Sequence, residues 1–253
     1  MSTQQTSHNA TPDFGVYLVT DPYLGGGPEN VPDIVAAAIE GGVRTVQLRD
    51  KDATESQITE RAEELLQRIG GRIPLFIDDR LEVAQKLGIH LHIGQTDVPY
   101  VYARRVLPDH LMIGLSASTK DQIDAVAEQC AEAGVALPDL IGIGPVFPTT
   151  TKEDAADACG VEHLGEVARY AAEKGMPSVA IGGINAACVP ALLGTGIHGV
   201  CVVSDIMAAD DPKAAADKLS AAFNATTLDP LTLNHVAIDH STLNHTDTSQ
   251  GSH

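Results

Sequence analysis

Two kinds of segment, short apolar runs and longer stretches with helical periodicity, alternate along this chain. That alternation limits the possible folds more than any other feature of the sequence. From Phe14 onward, eight short runs rich in Val, Ile and Leu are separated by longer stretches with helical periodicity. The runs cover residues 14–20, 43–49, 73–78, 89–94, 111–116, 139–144, 178–183 and 199–204. Their length and composition predict strands buried on both faces, and the stretches between them predict helices.

Helix start signals support this division. The clearest predicted helix covers residues 55–69, where apolar residues recur on one face. Polar residues suited to capping precede four predicted helices: Thr54 with Gln57, Thr119 with Gln122, Asn185, and Asp211 with Pro212.

Eight strand–helix units predict an α/β fold of one domain, the (β/α)₈ TIM barrel, and 253 residues is a usual length for it. A doubly wound open sheet is the structural alternative. We expect the barrel to cover residues 13–223, between a disordered arm at 1–12 and a flexible polar tail at 224–253.

Composition narrows the classes of partner. The formal net charge of −18 argues against nucleic acid, which needs clustered Lys and Arg, but leaves room for small phosphorylated ligands. No apolar run approaches the roughly 18–20 residues of a membrane span, and the first residues lack the pattern of a signal peptide. Four cysteines without a paired spacing predict reduced thiols in a cytoplasmic protein. Self-association into a homo-oligomer stays open.

In a barrel of this kind the working groups collect at the carboxyl ends of the strands. The second run ends in "QLRDK", where Gln47, Arg49 and Lys51 alternate. Residues two apart on an extended segment point the same way, so these three could meet one anion such as a diphosphate. The alternative is a solvated strand end, with ion pairs to Asp50 or Asp52.

Carboxylates follow the next two runs. The third run ends at Asp78 and Asp79, and Asp97 follows the fourth. Hard oxygen ligands beside a diphosphate site are what Mg²⁺ uses, so this pattern is compatible with a magnesium site. The alternative is that Asp79 and Asp97 cap the helices that follow them.

A long polar loop follows the sixth run, "GIGPVFPTTTKEDA". Its glycines allow the backbone to approach a ligand, and its prolines stiffen it. Such a loop in a compact barrel favours a functional role. It offers hydroxyls and a cation at Thr149, Thr150, Thr151 and Lys152, and Ser116 ends the fifth run at the same rim.

The last two runs end in small residues. Backbone amides at Gly182 and Gly183, and around Val203 and Ser204, would lie at helix starts, where many barrels bind a phosphate monoester. The rim would then have two anion sites on opposite sides and a carboxylate pair between them. That arrangement suggests two phosphorylated substrates and a divalent metal.

These motifs resemble the thiamine phosphate synthase family. "QLRDK", "DDR", "HIGQTDVP", "GLSAST", "GIGPVFPTTTK", "AIGGI" and "VVSDI" occur in the family's order and at about its spacing, over roughly Phe14 to Phe223. The resemblance implies condensation of 4-amino-2-methyl-5-(diphosphooxymethyl)pyrimidine with 4-methyl-5-(2-phosphooxyethyl)thiazole. Diphosphate would leave first, and the thiazole nitrogen would attack the resulting cation.

The resemblance also implies a role for each position. Gln47, Arg49, Lys51 and Lys152 would hold the diphosphate, Ser116 would contact the pyrimidine substrate, and Asp79 and Asp97 would ligate Mg²⁺. The thiazole phosphate would lie against Thr149, Thr151, Gly182, Gly183, Val203 and Ser204, and Thr150 would also bind substrate. The groups expected to act in catalysis are Arg49, Lys51, Ser116 and Lys152.

One position departs from the family pattern. Many members have Asn where this chain has Asp78, at a position that should touch the pyrimidine substrate. An ionised Asp can only accept hydrogen bonds, whereas an amide can also donate them. This carboxylate could meet the pyrimidine amino group, recruit metal, or repel the diphosphate.

Three other functions fit parts of the sequence. A thiazole tautomerase is a sister on the same fold, but it lacks the diphosphate machinery retained here. An isomerase or aldolase would need an acid–base pair or a Schiff-base lysine, for which His90 and His92 are candidates; alternation puts both on one side of the fourth run. A non-catalytic ligand sensor would not need so many charged rim residues.

Overall fold

The computed structural model of this protein describes residues 14–149 and 157–227, in which eight parallel strands close into a barrel. The strands are β1 (Gly15–Val19), β2 (Val43–Leu48), β3 (Leu75–Asp78), β4 (His90–Ile93), β5 (Ile113–Ser116), β6 (Leu140–Ile143), β7 (Ser178–Ile181) and β8 (Gly199–Val202). The helices are α1 (Val31–Glu40), α2 (Glu55–Ile69), α3 (Leu81–Leu87), α4 (Tyr100–Val106), α5 (Lys120–Ala133), α6 (Gly160–Glu173), α7 (Ser204–Met207) and α8 (Pro212–Thr227).

Each strand pairs with the next, and β1 closes the ring by pairing with β8. Short 3-10 helices at Pro28–Asn30 and Val189–Leu192 complete the order of elements. The predicted (β/α)₈ barrel is confirmed, and the open-sheet alternative is wrong.

Strand alternation divides the apolar residues into two cores. Residues such as Leu18, Val46 and Ile77 belong to the large core shared by strands and helices. The residues between them along the strands form a smaller core inside the barrel: Phe14, Tyr17, Val19, Phe76, Leu140, Val179 and Cys201. Each fully buried large side chain of the outer core contributes about 1.5–3 kcal/mol of transfer free energy. This packing makes a rigid support for the loops at the rim.

Two of the predicted capping residues lie at the starts of α2 and α5. Thr54 and Gln57 form the reciprocal capping box of α2. Thr119 caps α5, but the Gln122 side chain accepts from Ser118 N instead of from Thr119 N.

The two later predicted caps, Asn185 and Asp211, differ in outcome. Asp211 Oδ1 accepts from Ala214 N at 2.9 Å, as expected of an N-cap of α8. The α-helix predicted after Asn185 is wrong, because the chain forms only the short 3-10 helix that begins after Cys188. Asn185 Oδ1 instead accepts from the amides of Ala187 and Cys188 in a turn.

All eight strands are one or two residues shorter than the predicted runs, and two element ends differ more clearly. The eighth run was expected to stay extended to residue 204, but Ser204 already begins the short helix α7. The last helix continues to Thr227, past the predicted end of the barrel at residue 223. The predicted arm at 1–12 and nearly all of the predicted tail lie outside the described residues.

Within the described ranges, no helix is long and apolar enough to cross a membrane.

Candidate active site

A cavity of about 370 Å³ opens at the carboxyl ends of the strands. Twelve of the predicted site residues line it: Gln47, Arg49, Lys51, Asp78, Asp79, Asp97, Ser116, Thr149, Gly182, Gly183, Val203 and Ser204. The remaining three, Thr150, Thr151 and Lys152, lie outside the described residues. The site residues predicted at the ends of β2 to β8 therefore line a single cavity, as far as the structure describes them.

The end of β2 carries Gln47, Arg49 and Lys51, the predicted anion-binding residues, which together form the anion grip. Gln47 points into the barrel, where its Nε2 donates to the Tyr17 hydroxyl at 3.1 Å. Arg49 and Lys51 follow the strand and line the same cavity, as the alternation predicts. One amide and two cations thus face one space.

These two cations pair with the carboxylates of β3. Lys51 Nζ lies 2.9 Å from Asp78 Oδ2 and also contacts Asp79 Oδ2, while Arg49 Nε lies 3.6 Å from Asp78 Oδ2. Asp78 Oδ2 is buried and makes no directed hydrogen bond, so its contact with the two cations is an ion pair. The cations therefore face a negative charge inside the cavity.

The alternative pairing of these cations with Asp50 or Asp52 is wrong. Asp50 forms its ion pair with Arg61, and Asp52 accepts from the Tyr23 hydroxyl at 2.6 Å. Both acidic residues are thus engaged elsewhere.

The backbone at Asp79 is held in an unusual conformation. Its φ of 59° makes it the one non-glycine residue with a positive φ in the described parts of the chain. A left-handed non-glycine residue costs free energy and persists where its surroundings impose it, often at functional sites. Here the Asp79 amide donates to the His92 carbonyl at 2.9 Å, which fixes the turn after β3.

Neither predicted metal ligand caps a helix. The N-cap of α3 is Arg80 and that of α4 is Pro99. Asp97 Oδ2 instead accepts from Gly94 N at 2.6 Å, which closes the turn after β4. The helix-capping alternative is therefore wrong for both carboxylates.

The oxygen ligands of Asp79 and Asp97 are compatible with a magnesium ion, and both residues line the cavity. Mg²⁺ commonly uses one or two protein carboxylates and fills its remaining positions with water and substrate phosphate. The ammonium group of Lys51 already stands between Asp78 and Asp79, so this position suits a cation. No cluster of three or more His, Cys, Asp or Glu side chains suited to a metal exists among residues 14–149 and 157–227.

His92 is a lining residue whose place the sequence left open. It is buried, and its Nε2 lies 3.0 Å from Ser116 Oγ. Burial lowers the pKa of His92, so the ring is neutral at neutral pH. The contact holds the Ser116 hydroxyl in place at the cavity wall.

His90 also lies on the inner side of the barrel wall, but in the packed layer below the cavity. Its ring packs against Phe76, and its Nδ1 accepts from Met112 N at 2.9 Å. Burial lowers the pKa of His90 to about 4. The two histidines therefore form no acid–base pair in the cavity, and the isomerase alternative loses its candidates.

The loops after β6 and β7 pack together too closely for side chains. A Cβ on Gly182 would lie 2.5 Å from Pro145 Cβ, and one on Gly183 would lie 2.6 Å from Pro148 O. Phe147 N donates to Gly182 O at 3.0 Å, and Ser118 Oγ holds the backbone of Gly144 from the other side. The glycines thus set the shape of this wall.

The loops after β7 and β8 form the arrangement that barrels use for a phosphate monoester. The short extra helix α7 begins at Ser204, directly after Val203, and both residues line the cavity with Gly182 and Gly183. A loop pair after the seventh and eighth strands with a short helix start is a frequent phosphate site in this fold.

Thr20, His92 and Ser118 line the cavity but were not among the predicted site residues. For His92 a signal existed in the neighbouring strands. A Cβ on Gly114 would lie 2.5 Å from His92 Nδ1, so the glycine leaves room for the ring. Gly114 pairs with His92 in the neighbouring strand, so a glycine at this position could have indicated that the His92 ring points into the barrel.

Comparison with known proteins agrees with the motifs. The family model described as thiamine monophosphate synthase matches residues 16–206. The thiamine-phosphate synthase of Psychrobacter sp. is 42% identical over 216 residues, which are 85% of this chain and 98% of that protein. The thiamine biosynthesis multifunctional protein ThiED of Corynebacterium glutamicum is 54% identical over 215 residues, but these are only 28% of that longer protein.

Among solved structures, thiamine phosphate pyrophosphorylase from Pyrococcus furiosus superposes with a TM-score of 0.71 at 28% identity. The match covers 85% of this chain and 98% of that one. The resemblance inferred from the motifs is thereby confirmed. The chain belongs to the thiamine monophosphate synthase family.

Proposed function

We propose that this chain is a thiamine-phosphate synthase that joins the pyrimidine diphosphate to the thiazole phosphate and releases diphosphate. One observation carries the proposal: a single cavity combines an anion grip at β2, carboxylates at β3 and β4, and glycine-rich loops at β7 and β8. In barrel order the anion grip at β2 lies two strands from β8 and three from β7, with β1 between them. This separation supports two distinct anion sites in the cavity.

The proposed reaction breaks one bond and forms another. The C–O bond between the pyrimidine methylene and the diphosphate breaks, and its electron pair leaves with the diphosphate. Arg49 and Lys51, with Lys152 by resemblance, stabilise the growing negative charge. The lone pair of the thiazole nitrogen then forms the new C–N bond. No nucleophilic side chain is needed, and a site closed around the bound substrates would keep water from the cation.

We further propose that Asp79 and Asp97 hold a Mg²⁺ ion when substrate is bound. The metal would supply charge neutralisation to the leaving diphosphate. Asp79 now engages Lys51, and Asp97 uses one carboxylate oxygen for the Gly94 amide. The chain itself contributes the turns that hold both carboxylates at the rim.

Alternative functions receive less support. A tautomerase would not need the diphosphate grip, yet Gln47, Arg49 and Lys51 all line the cavity. A ligand sensor would bind both substrates without forming product.

We expect the enzyme to act in the cytoplasm, with small phosphorylated substrates as its partners and no nucleic acid or membrane.

The test is a reaction of the purified protein with both substrates, with and without Mg²⁺. We expect thiamine phosphate to form only when both substrates and Mg²⁺ are present. Binding of both substrates without product would support the sensor. Isomerisation of the thiazole alone, with no joined product at any magnesium concentration, would support the tautomerase.

The Asp78→Asn variant tests the position that departs from the family pattern. The change removes the carboxylate that pairs with Lys51 and Arg49, so both cations become freer to meet diphosphate. We expect kcat/KM for the pyrimidine substrate to equal or exceed that of the wild type in steady-state assays. A collapse in kcat/KM would mean that the carboxylate has a role of its own.

The Gly183→Ala variant tests the packed glycine wall. The new methyl group would collide with Pro148 O and push apart the loops after β6 and β7. We expect KM for the thiazole phosphate to rise about 10-fold or more, because small displacements at a site are costly. Steady-state kinetics at saturating pyrimidine substrate would measure the change.

Gly88→Ala is the matched control for this variant. Gly88 has the same φ of 65° as Gly183, but its Cβ would meet open space. Both variants therefore share the strain of a left-handed alanine, about 1–2 kcal/mol, and only one disturbs the site. An equal rise in KM in both variants would contradict the proposed role of the wall.

A further inference from the structure

A buried ion pair lies behind the loop that joins β2 to α2. Asp50 stands between Arg49 and Lys51 in sequence, yet it is not part of the cavity wall, and only 8% of its surface is exposed. Its Oδ2 pairs with Nη1 of Arg61 from α2, whose side chain is 14% exposed. Both charges are therefore largely removed from water, outside the site itself.

The same carboxylate closes the turn that carries Lys51. Asp50 Oδ1 accepts from Asp52 N at 3.1 Å and from Ala53 N at 3.0 Å. These two bonds fix the first and second peptide planes after Lys51. One oxygen of Asp50 thus shapes the turn, and the other anchors it to α2.

Two further residues hold this loop in place. Arg49 N donates to Thr20 Oγ1 at 3.0 Å, which ties the loop to β1. Arg80, the residue after Asp79, directs its Nη2 toward the carbonyls of Lys51 and Ala53, each at 3.4 Å. The loop bearing the cations is therefore tied to the turn bearing the predicted metal ligand.

The cost of burying charge favours a positioning role for Asp50 over a role in simple packing. Burying an ion pair costs desolvation free energy, and well-packed apolar residues often stabilise a fold equally well. A carboxylate at position 50 can do what an apolar residue cannot, since it accepts two backbone amides and an arginine at once. Its contacts converge on the turn between Arg49 and α2.

We infer that Asp50 and Arg61 are positioning residues that hold Arg49 and Lys51 in the geometry required to bind diphosphate. The inference rests on the proposed function, because it deepens the role given there to the end of β2. Neither residue touches the cavity, so each acts through the loop.

The decisive variant is the double substitution Asp50→Asn with Arg61→Met. It removes both charges together, so no isolated buried charge threatens the fold, and the asparagine still accepts from a turn amide. We expect the dissociation constant for inorganic diphosphate, measured by calorimetry with Mg²⁺, to rise about 10–100-fold, as for other supporting residues. KM for the thiazole phosphate should stay within about twofold of the wild type, since its loops are tied elsewhere.

A conservative variant and a control sharpen the test. Arg61→Lys keeps the charge but loses the planar fork, so its diphosphate affinity should fall between those of the wild type and the double variant. Arg68→Met changes another arginine of α2, which pairs with Asp33 on the surface, and should leave both substrates unaffected. Wild-type diphosphate affinity in the double variant would overturn the inference, as would an equal loss for both substrates.

The two levels of the proposal can fail separately. If the wild-type protein forms no thiamine phosphate, the proposed function fails. Diphosphate affinity can still be compared among the variants, and that comparison alone decides whether Asp50 and Arg61 position the grip.

Discussion

Lys51→Ala is expected to lower kcat by about 100–1,000-fold while the protein stays folded. Lys51 Nζ lies in the cavity between the carboxylates of Asp78 and Asp79, where it can follow the charge that develops on a leaving diphosphate. Loss of one preorganised charge-stabilising group commonly costs about 2.7–4 kcal/mol. Steady-state rates and a thermal unfolding curve of the variant would measure both parts of the expectation.

Lys213→Ala is the matched control for this change. Lys213 lies on α8, its side chain is 49% exposed against 47% for Lys51, and it also approaches an aspartate, Asp217 at 3.9 Å. The two variants thus lose the same group at the same exposure, once inside the cavity and once on the surface. A near-normal rate in Lys51→Ala would place the diphosphate grip elsewhere.

Asp97→Asn is expected to produce the second large effect, a loss of about 100-fold in kcat at moderate Mg²⁺. Charge stabilisation by a metal is worth several kcal/mol, and about 1.4 kcal/mol corresponds to a factor of ten in rate. The substitution keeps an oxygen that can accept from Gly94 N, so the turn after β4 should survive. Rates over a magnesium titration would show the loss.

A binding measurement makes this prediction independent of turnover. In calorimetry with inorganic diphosphate present, Mg²⁺ should bind more weakly to the variant than to the wild type. Asp33→Asn, an exposed carboxylate of α1 with a 75% exposed side chain, should bind Mg²⁺ as the wild type does. Unchanged magnesium dependence in Asp97→Asn would remove Asp97 from the metal site.

Sequence patterns predicted those features that depend on local periodicity. The alternation of apolar runs predicts the barrel, and the spacing of Gln47, Arg49 and Lys51 predicts their common direction. The capping residues Thr54 and Asp211 were likewise predictable, because a cap is a contact within a few residues of chain.

Features that depend on contacts between distant segments could not be predicted. Alternation puts His90 and His92 on one side of β4, but only the closed barrel shows that this side is the interior. The left-handed backbone of Asp79 and the pairing of Lys51 with Asp78 depend on how β2, β3 and β4 meet. No local pattern carries that information.

The helix region after β7 shows how weak local signals mislead. Asn185 and the apolar residues after it have helical spacing, yet Pro190 has no amide hydrogen to donate, and the segment forms only a short 3-10 helix. The helix start near Ser204 was predicted, but its length was not. Helix α7 covers only four residues, Ser204–Met207, which are too few for helical periodicity to show.

The central claim is that one cavity binds both substrates and joins them. Its most direct test measures thiamine phosphate and diphosphate in the same reaction of purified protein with both substrates and Mg²⁺. We predict equal amounts of the two products throughout the time course, and neither product when Mg²⁺ is chelated. Absence of thiamine phosphate at every magnesium concentration, or release of diphosphate without it, would show that the cavity does not join the two substrates.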